Sequence, residues 1–592
     1  MAVSQPVKSN VDVAGILERY KEGSTRDFDI FVNLLKDPGI TDAVLATYLH
    51  SLKDCVYNLG RSMEALVGVL FKVDWLERNA AVIHEYQSLI VNLVSAHTYY
   101  LKGALKQIVR LFTVERTFPV PEAPVDDSVR IVDEKKFLNL HLLLKRIVAI
   151  IPMTPTVLIP LLSEKFPYMT KHSYVQECYV RNLLQITTYL PSHTNRILQV
   201  IVDKMVKIDV HAPRDQIEEA EGGSDIEDDS ILFEMDEIEH MEGDINTRTG
   251  SPVQMHGLRD GPMSHKEANK LDILMHLMFT YTQNSCHLNG SLNWEATKKL
   301  YTNLLYAFDR VILPTYACCH VQYLLFYICS FKEQLSEGFV DYLWKKVQQV
   351  NTQPVFRQAS VAYLASFLAR AKYLSLNIVK TALELMTDWA HTYIKQAAYT
   401  SRPGIAHHGP FYSVCQAIFY VTIFKHKDIL ESRKGRAYLE NLNLQTLVTC
   451  RLNPLKVCLP LIAKTFASVT RIHQLAFCDT IMEQNKRTML PVEGTLDKYT
   501  PLTNINPLDS FFPFDPYVLS RSRVFIESLY KEYDGAVVEQ DINSDVEEVE
   551  EEFYQNECVS FKETGTMAES WKSDYGFEDY GTSPGFKYME AT

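Results

Sequence analysis

The 592-residue sequence lacks the long apolar stretches that a membrane crossing requires. A transmembrane helix needs about 20 consecutive apolar residues, whereas one of the longest apolar runs, from Cys415 to Phe424, contains Gln416 and Thr422. The first ten residues also have no apolar core of the kind that signal peptides carry. These absences predict a soluble protein that neither binds a membrane nor enters the secretory route.

Glycine and proline are scarce, with 23 and 25 residues. The prolines tend to lie between apolar blocks, where the missing N–H group and the ring end a helix. The 11 cysteines are an odd number, and their scatter through segments predicted as helical fits the reduced thiols of the cytosol or nucleus. Strand-like alternation is nearly absent as well, so the sequence favours helices.

The motifs that mark common catalytic sites are missing: there is no glycine-rich phosphate loop, no H-E-x-x-H and no G-x-S-x-G. The cysteines and histidine at 318–320 lack the Cys-x-x-Cys spacing with which two thiolates reach one zinc ion. Cys415 follows His407 and His408 closely, but a nucleophile and base also need an orienting group and an oxyanion pocket. We therefore expect no enzyme activity, no metal site and no cofactor.

Negative charge is concentrated in two segments. Fourteen acidic residues lie from Asp215 to Asp244 and eight from Glu539 to Glu552, in both cases without a lysine or arginine. When these are set aside, 51 of the 73 acidic residues remain against 59 basic residues, although the whole chain carries a net charge of −14. The remaining body is net basic and attracts an acidic protein surface or a phosphate backbone. For any one patch, a solvated surface of mixed charge is the alternative.

Apolar residues recur at helical spacing over most of the chain. The clearest pair consists of one series from Val340 to Val350, a turn at Asn351–Pro354 and a second series from Val361 to Ala371. Helices of this length, about 14 to 17 residues, cannot bury wide apolar faces alone and therefore stack in antiparallel pairs. We predict an all-α fold: a HEAT-repeat-like α-solenoid with a disordered acidic insertion and an acidic C-terminal tail. Because no strict repeat motif is visible, a large irregular helical bundle is the alternative.

Changes in composition divide the chain into six segments. Helical repeats are expected at 1–117, 133–211 and 266–535, the last with an aromatic and proline-rich turn. A linker at 118–132 contains prolines, and a residue before proline is pushed out of the helical region. A high density of acidic residues with few apolar residues predicts a disordered insertion at 212–265. The tail at 536–592 has a similar composition and is also predicted to be disordered.

Several serines lie where a phosphate would act strongly. Ser224 and Ser544 are followed by Asp-Ile-Glu and Asp-Val-Glu, which resemble the sites of acidophilic kinases, and Ser251 and Ser583 precede proline. A phosphate adds a charge of about −1.5 to −2 and would change how such a segment lies against a basic body. Short patterns of this kind also occur by chance. We consider these four serines candidate phosphorylation sites for protein kinases.

Two segments combine aromatic residues with chain breaks. The stretch His408–Gln416 places a Gly-Pro break before an aromatic helix start, and 511–517 gathers four aromatics around two prolines. Such segments can simply seal one end of a solenoid, but aromatic and arginine-rich surfaces are also where binding energy concentrates. The candidate partner-binding residues are Arg402, His408, Phe411, Tyr412, Arg433, Lys434, Arg436, Phe511, Phe512, Phe514, Asp515 and Tyr517.

These same strings carry a family resemblance. The string NPLDSFFPFDPY at 506–517, together with His408–Gln416, resembles the RNA polymerase I-specific transcription initiation factors of the TIF-IA type. Shorter matches follow in order from about Tyr174 to Tyr530: ECYVRNLL at 177–184, LDILM at 271–275, LPT at 313–315, CHVQ at 319–322, LWKK at 343–346, RQA at 357–359, SFLARAK at 366–372 and LNPLK at 452–456. The first 117 residues and the tail after Ala536 match only loosely.

The resemblance implies a specific function. Members of this family are HEAT-repeat proteins without a catalytic site that bind RNA polymerase I near its stalk and bridge it to the promoter-bound selectivity factor. Phosphorylation and an acidic insertion between repeats are typical of the family. A nuclear and nucleolar protein is therefore expected.

Two other classes of function compete with this interpretation. A solenoid of this length suits a transport receptor or a general assembly adaptor. The net basic body suits nucleic-acid binding, but the sequence has no base-stacking motif and no recognisable DNA-binding module, so sequence-specific binding to nucleic acid is not expected.

Overall fold

A computed structural model describes residues 12–116, 118, 122, 125–221, 262–316, 318–397, 404–487, 508 and 512–533. Helices dominate these residues. In the first part of the chain they are α1 (Val13–Lys21), α2 (Arg26–Lys36), α3 (Asp42–Asp54), α4 (Glu64–Leu70), α5 (Ala80–Ala96), α6 (Leu101–Arg110), α7 (Asp127–Ile150), α8 (Thr154–Glu164), α9 (Ser173–Tyr189), α10 (Thr194–Asp209) and α11 (Arg214–Ala220).

Twelve further α-helices are described after residue 261. They are α12 (Lys266–Cys286), α13 (Trp294–Ala307), α14 (Tyr323–Cys329), α15 (Glu333–Gln348), α16 (Pro354–Arg370), α17 (Leu376–Ala397), α18 (Ile405–Glu431), α19 (Gly435–Asn441), α20 (Leu444–Val448), α21 (Pro454–Val457), α22 (Pro460–Ile472) and α23 (Asp479–Arg487). A small antiparallel hairpin pairs β1 (His287–Leu288) with β2 (Ser291–Leu292) across Asn289 and Gly290. Both turn residues have positive φ, as a tight two-residue hairpin requires.

Each helix packs mainly on helices that are near it in chain order. Successive neighbours are α3 with α5, α5 with α7, α7 with α9, α9 with α12, α12 with α13, α15 with α16, and α16 with α18. Contacts between successive elements, which share one continuous apolar core, are the defining property of a solenoid. The predicted all-α, HEAT-repeat-like fold is confirmed for the described helices.

The helix pair that was clearest in the sequence forms as predicted. α15 and α16 have 16 and 17 residues and pack against each other, and Pro354 occupies the first position of α16, where its missing N–H group costs nothing. One position differs from the prediction. Val350 lies beyond the end of α15 and is 83% exposed, because the helix stops at Gln348 before the turn.

Two predicted boundaries are wrong. α7 begins at Asp127, not near Asp133, because Arg130 in its first turns donates to Glu177 of α9 at 2.9 Å and lies over the Tyr174 ring. The helix α11 lies within the segment predicted as a disordered insertion, since Ile217 is buried in the core. Residues 222–261 of that insertion and the whole tail at 536–592 lie outside the described residues.

Candidate partner-binding surface

The aromatic and proline-rich turn lies in the protein core. It belongs to residues 512–533, which we name the C-terminal strap. The ring centroid of Phe514 lies 5.2 to 5.9 Å from those of four aromatic residues on α14 and α16, which are Tyr323, Phe326, Tyr363 and Phe367. Phe512 stacks on Tyr420 of α18 at 4.3 Å, and Tyr517 lies 4.8 Å from Tyr323. The strap therefore fills a cavity between three helices with its own side chains.

Hydrogen bonds to the strap backbone fix its path. The Phe514 N–H group donates to the Ser366 hydroxyl at 2.9 Å, and Gln322 donates to the Pro513 carbonyl. Further along, the Lys372 N–H group donates to the Leu529 carbonyl at 2.9 Å, and the Lys531 N–H group to the Arg370 carbonyl at 2.7 Å. Because an irregular segment has no internal ladder, these bonds to side chains and helix ends satisfy its buried polar groups.

Asp515 lies between two arginines from distant parts of the chain. Its carboxylate accepts from Arg214 of α11 at 3.2 Å and lies 3.9 Å from Arg370 of α16. Burial disfavours both guanidinium charges, but nearby negative and polar groups, including Asp515, offset this and raise the pKa of each arginine above its ordinary value. Asp515 thus ties the strap to helices on both sides of the insertion.

Two further buried carboxylates hold this region. Asp272 of α12 accepts from the N–H groups of Arg521 and Ser522 at 2.7 and 2.8 Å. Asp209, at the end of α10, accepts from the side chain of His320 at 2.8 Å and from the thiol of Cys318 at 3.0 Å. Although burial opposes its charge, the His320 ring and these hydrogen bonds hold the pKa of Asp209 below its ordinary value.

The block His408–Gln416 is also part of the core. It lies in α18, which continues across a kink at His408, where φ is −122° and ψ is 19°. The Tyr393 hydroxyl and the His408 Nδ1 atom are 2.8 Å apart, and the Tyr412 hydroxyl donates to the Leu452 carbonyl at 2.9 Å. Phe411 stacks on Tyr393 with 5.0 Å between centroids and is fully buried. The predicted break is therefore a kink inside one helix.

These positions correct the prediction that the aromatic residues contact a partner. His408, Phe411, Tyr412, Phe512, Phe514 and Tyr517 are buried. A side chain with almost no accessible surface cannot touch a second protein in this conformation. The sequence could not reveal this, because an aromatic residue anchors a core and an interface by the same burial of apolar area. Arg402 and Phe511 lie outside the described residues, as do Ser224, Ser251, Ser544 and Ser583.

The predicted basic residues after α18 are exposed and share one short turn. Arg433, Lys434 and Arg436 surround Gly435, where α19 begins, and Arg436 donates to Glu440 at 3.0 Å. The backbone of this turn is constrained: Lys434 has a φ of +64°, and a Cβ atom at Gly435 would lie 1.7 Å from the Ile429 carbonyl oxygen. We name these three residues the basic turn, which presents three cations on a rigid backbone.

Sequence reasoning missed the residues that anchor the strap. Asp272 and Arg214 lie 249 and 301 residues before their strap partners Arg521 and Asp515. Asp209, which was missed as well, anchors not the strap but the loop at 318–321, and lies 111 residues before His320. Nothing in their local sequence distinguishes them from solvated residues on a helix face. Among the described residues, no cluster of histidine, cysteine, aspartate or glutamate could hold a metal ion, and none of their helices is long and apolar enough to cross a membrane.

Comparisons with known proteins agree over nearly the whole chain. The family model described as RNA polymerase I specific transcription initiation factor RRN3 matches residues 5–537. The RNA polymerase I-specific transcription initiation factor RRN3 of Mus musculus is 38% identical over 557 residues, which cover 91% of this chain and 83% of the mouse protein. The factor named rrn3 in Schizosaccharomyces pombe is 25% identical over 510 residues, covering 83% and 80%.

A solved structure supports the fold. The crystal structure of RNA Polymerase I Transcription Initiation Factor Rrn3 is similar with a TM-score of 0.65 and 20% sequence identity, and the match covers 88% of this chain and 97% of that one. At this identity the likeness concerns the fold, and it agrees with the stacked helices described above.

Proposed function

The chain belongs to the RRN3 family of RNA polymerase I-specific transcription initiation factors, and we propose that it binds RNA polymerase I near the stalk and bridges the enzyme to the promoter-bound selectivity factor. It is a transcription initiation factor and not an enzyme, and it acts in the nucleus. We place that action in the nucleolus, because ribosomal RNA synthesis would be the product of this assembly.

The proposed contact with the polymerase rests on the exposure and the charge of the basic turn. Arg433, Lys434 and Arg436 are exposed beside a helix of 27 residues, α18, which is anchored in the core. A rigid turn loses little conformational entropy when it binds, so its charges are available for a complementary acidic surface. The buried aromatic residues contribute indirectly, since the strap keeps the helices that carry the turn in one arrangement.

The test is charge reversal of the basic turn. In a pull-down from nuclear extract, the variant Arg433→Glu/Lys434→Glu/Arg436→Glu should retain at most about one tenth of the RNA polymerase I that the native chain retains. The reason is that three attractions to an acidic surface become repulsions. The matched control is Lys102→Glu/Lys106→Glu/Arg110→Glu on α6, where two exposed lysines accompany an arginine that pairs with Glu115. Full retention of polymerase by the first variant would refute this surface.

Regulation by phosphorylation is the second part of the proposal. Ser224 and Ser544 each begin a Ser-Asp-x-Glu sequence inside or beside an acidic run, and Ser251 and Ser583 precede proline. A phosphate would add negative charge to acidic segments, whose charge is already opposite in sign to that of the net basic body. If the double variant Ser224→Ala/Ser544→Ala incorporates as much phosphate in cells as the native chain, these two sites are not used.

A transport receptor or general assembly adaptor is the competing function for a solenoid. Family membership favours the initiation factor. Cargo release by a small GTPase would support the transport receptor, whereas co-purification of RNA polymerase I would support the initiation factor.

A further inference from the structure

Helix α7 carries apolar side chains on two opposite sides. One side packs into the core through residues such as Phe137, Leu140 and Leu144. On the other side, Ile131, Leu138 and Leu142 are 64%, 53% and 44% exposed, and their spacing of seven and four residues places them on one helical face. We name these three residues the α7 stripe. Single exposed apolar residues are common, but an aligned row of them marks a contact surface.

Cations flank the α7 stripe. Lys135, Lys145 and Arg146 are exposed on the same side of the helix, since each is within about 60° of the stripe at 100° per residue. Within the part of the chain that the structure describes, these three side chains form no ion pair. Two exposed acids, Asp127 and Glu134, lie within the same 60°, so positive charge prevails at the C-terminal end of the stripe, beside Lys145 and Arg146. An apolar row with positive charge at this end fits an occupant that combines apolar residues with negative charge.

One segment of this chain has that composition. Between Asp225 and Asp244 there are ten acidic residues and no lysine or arginine, and apolar residues recur at Ile231, Met235, Ile238 and Met241. Their spacing of four, three and three residues is the repeat by which one helical face meets an apolar row. The charge and the spacing of this segment both complement those of the α7 stripe.

The chain on either side of this segment is anchored at neighbouring points, and the helix that follows contacts the chain before α7. The Ser264 N–H group donates to Glu221 at 2.6 Å, so the described chain leaves and returns at neighbouring points. Lys270 in the first turns of α12 lies 3.4 Å from Glu122, five residues before α7 begins. The α7 stripe extends about 17 Å along its helix, whereas the 17 residues from 245 to 261 can span up to about 55 Å. The connection after the segment is therefore about three times as long as the stripe itself.

We propose that residues 225–244 dock in cis on the α7 stripe, with Ile231, Met235, Ile238 and Met241 against Ile131, Leu138 and Leu142, and with their carboxylates against Lys135, Lys145 and Arg146. The acidic segment then covers an apolar surface of its own chain. This proposal does not depend on the polymerase contact, because it concerns a different helix and needs no second protein.

Zero-length carbodiimide cross-linking of the full chain tests the contact. The reagent joins carboxylates to amines that touch, so peptides containing 225–244 should be coupled to Lys135 and Lys145. An equal mixture of isotopically light and heavy chains identifies the partner: contact in cis gives light–light and heavy–heavy products only. Mixed products in statistical proportion would mean a second copy on the stripe, and absence of these cross-links would mean that the segment does not dock there; either result overturns the proposal.

A pair of variants tests the apolar part. Leu138→Glu/Leu142→Glu should reduce the cross-links at least about tenfold, because it removes two apolar contacts and adds repulsion. Both leucines are exposed, so the melting temperature should be unchanged. The control is Leu385→Glu on α17, an equally exposed leucine, which should leave the cross-links intact. If the first variant cross-links like the native chain, the stripe is not the docking site.

A peptide measurement serves as a second readout. In the full chain with 225–244 replaced by a Gly-Ser linker of equal length, the stripe should be open, and a fluorescent 225–244 peptide should bind it at least about tenfold more tightly than it binds the native chain, because the native segment competes at high effective concentration. Equal peptide affinity for the two chains would contradict docking in cis.

Discussion

His141 shows how burial of one side chain sets its protonation state. Its Nε2 atom lies 3.0 Å from the Asn182 side-chain oxygen and its Nδ1 atom 2.9 Å from the Tyr189 hydroxyl. The Asn182 amide nitrogen donates to the Cys178 carbonyl at 2.9 Å, so its oxygen faces the ring and Nε2 carries the proton. Burial favours this neutral ring, and it lowers the pKa of His141 to about 4 from an ordinary 6.5.

This pKa predicts a loss of stability in mild acid. Between pH 6.5 and 4 the unfolded chain binds a proton at His141 that the folded chain does not, so the free energy of unfolding falls as the pH drops through this window, by roughly 3 kcal/mol in total. In His141→Gln this contribution is absent, and the decline should be shallower by that amount. Urea unfolding at several pH values measures it; parallel curves for the two proteins would show that His141 does not titrate this way.

Phe514 allows core packing and partner contact to be separated. Its ring is fully buried among four aromatic residues, and truncation of such a ring costs about 3 to 5 kcal/mol of stability. We expect Phe514→Ala to lower the melting temperature while the folded fraction still binds its partner. The matched control Phe477→Ala, at an exposed position, should change stability by less than about 0.5 kcal/mol. If Phe514→Ala leaves stability unchanged but abolishes binding, Phe514 contacts the partner and is not a core residue.

At the scale of elements, the C-terminal strap depends on a few long-range anchors. Asp272 receives two backbone N–H groups and the Ser522 hydroxyl. Asp272→Ala leaves these donors buried without an acceptor, which costs about 1 to 3 kcal/mol for each unsatisfied group. We expect faster hydrogen exchange of strap amides around Arg521–Leu529, with unchanged exchange in α3 and α5.

An exposed aspartate provides the control for this change. Asp388 lies on the surface of α17, so Asp388→Ala should leave the strap protected. Equal protection of the strap in native and Asp272→Ala chains would show that this carboxylate does not hold it. Faster exchange throughout the chain would instead mean that the strap and the helices open together.

The helices could be predicted from the sequence, but the strap could not. The α15 and α16 series repeat at helical spacing and are joined by a proline turn, so local pattern and packing agree. The helix α11 was missed because its one buried residue, Ile217, stands in acidic surroundings. In the strap, Phe512, Phe514 and Tyr517 could by their sequence equally form a core or an interface. Only the position of α14 and α16 around Phe514 decides between them.

At the scale of the whole molecule, charge is separated along the chain. Two acidic runs hold 22 unopposed negative charges: eight from Glu539 to Glu552 and 14 from Asp215 to Asp244. The rest of the chain has 59 basic residues and 51 acidic ones, so its smaller positive net charge is exceeded by the negative charge of the two runs. Such a distribution could be read from the sequence, since it needs no knowledge of contacts. The sequence does not reveal which cations face solvent. Lys425, close to the basic turn in sequence, is buried, and this burial lowers its pKa to about 8.

This separation predicts how the acidic tail affects association with the polymerase. If the basic turn meets an acidic surface on the polymerase, the eight carboxylates at 539–552 add repulsion to the approach of the whole chain, which salt screens with a Debye length of about 10 Å at 0.1 M. Replacing all eight with Asn or Gln should raise the association rate constant about three- to tenfold at low salt. A scrambled segment that keeps its charge is the control. Because salt screens the attraction of the basic turn and the repulsion of the tail alike, the difference should vanish near 0.5 M salt. A rate constant that is unchanged at low salt would show that the tail charge plays no part.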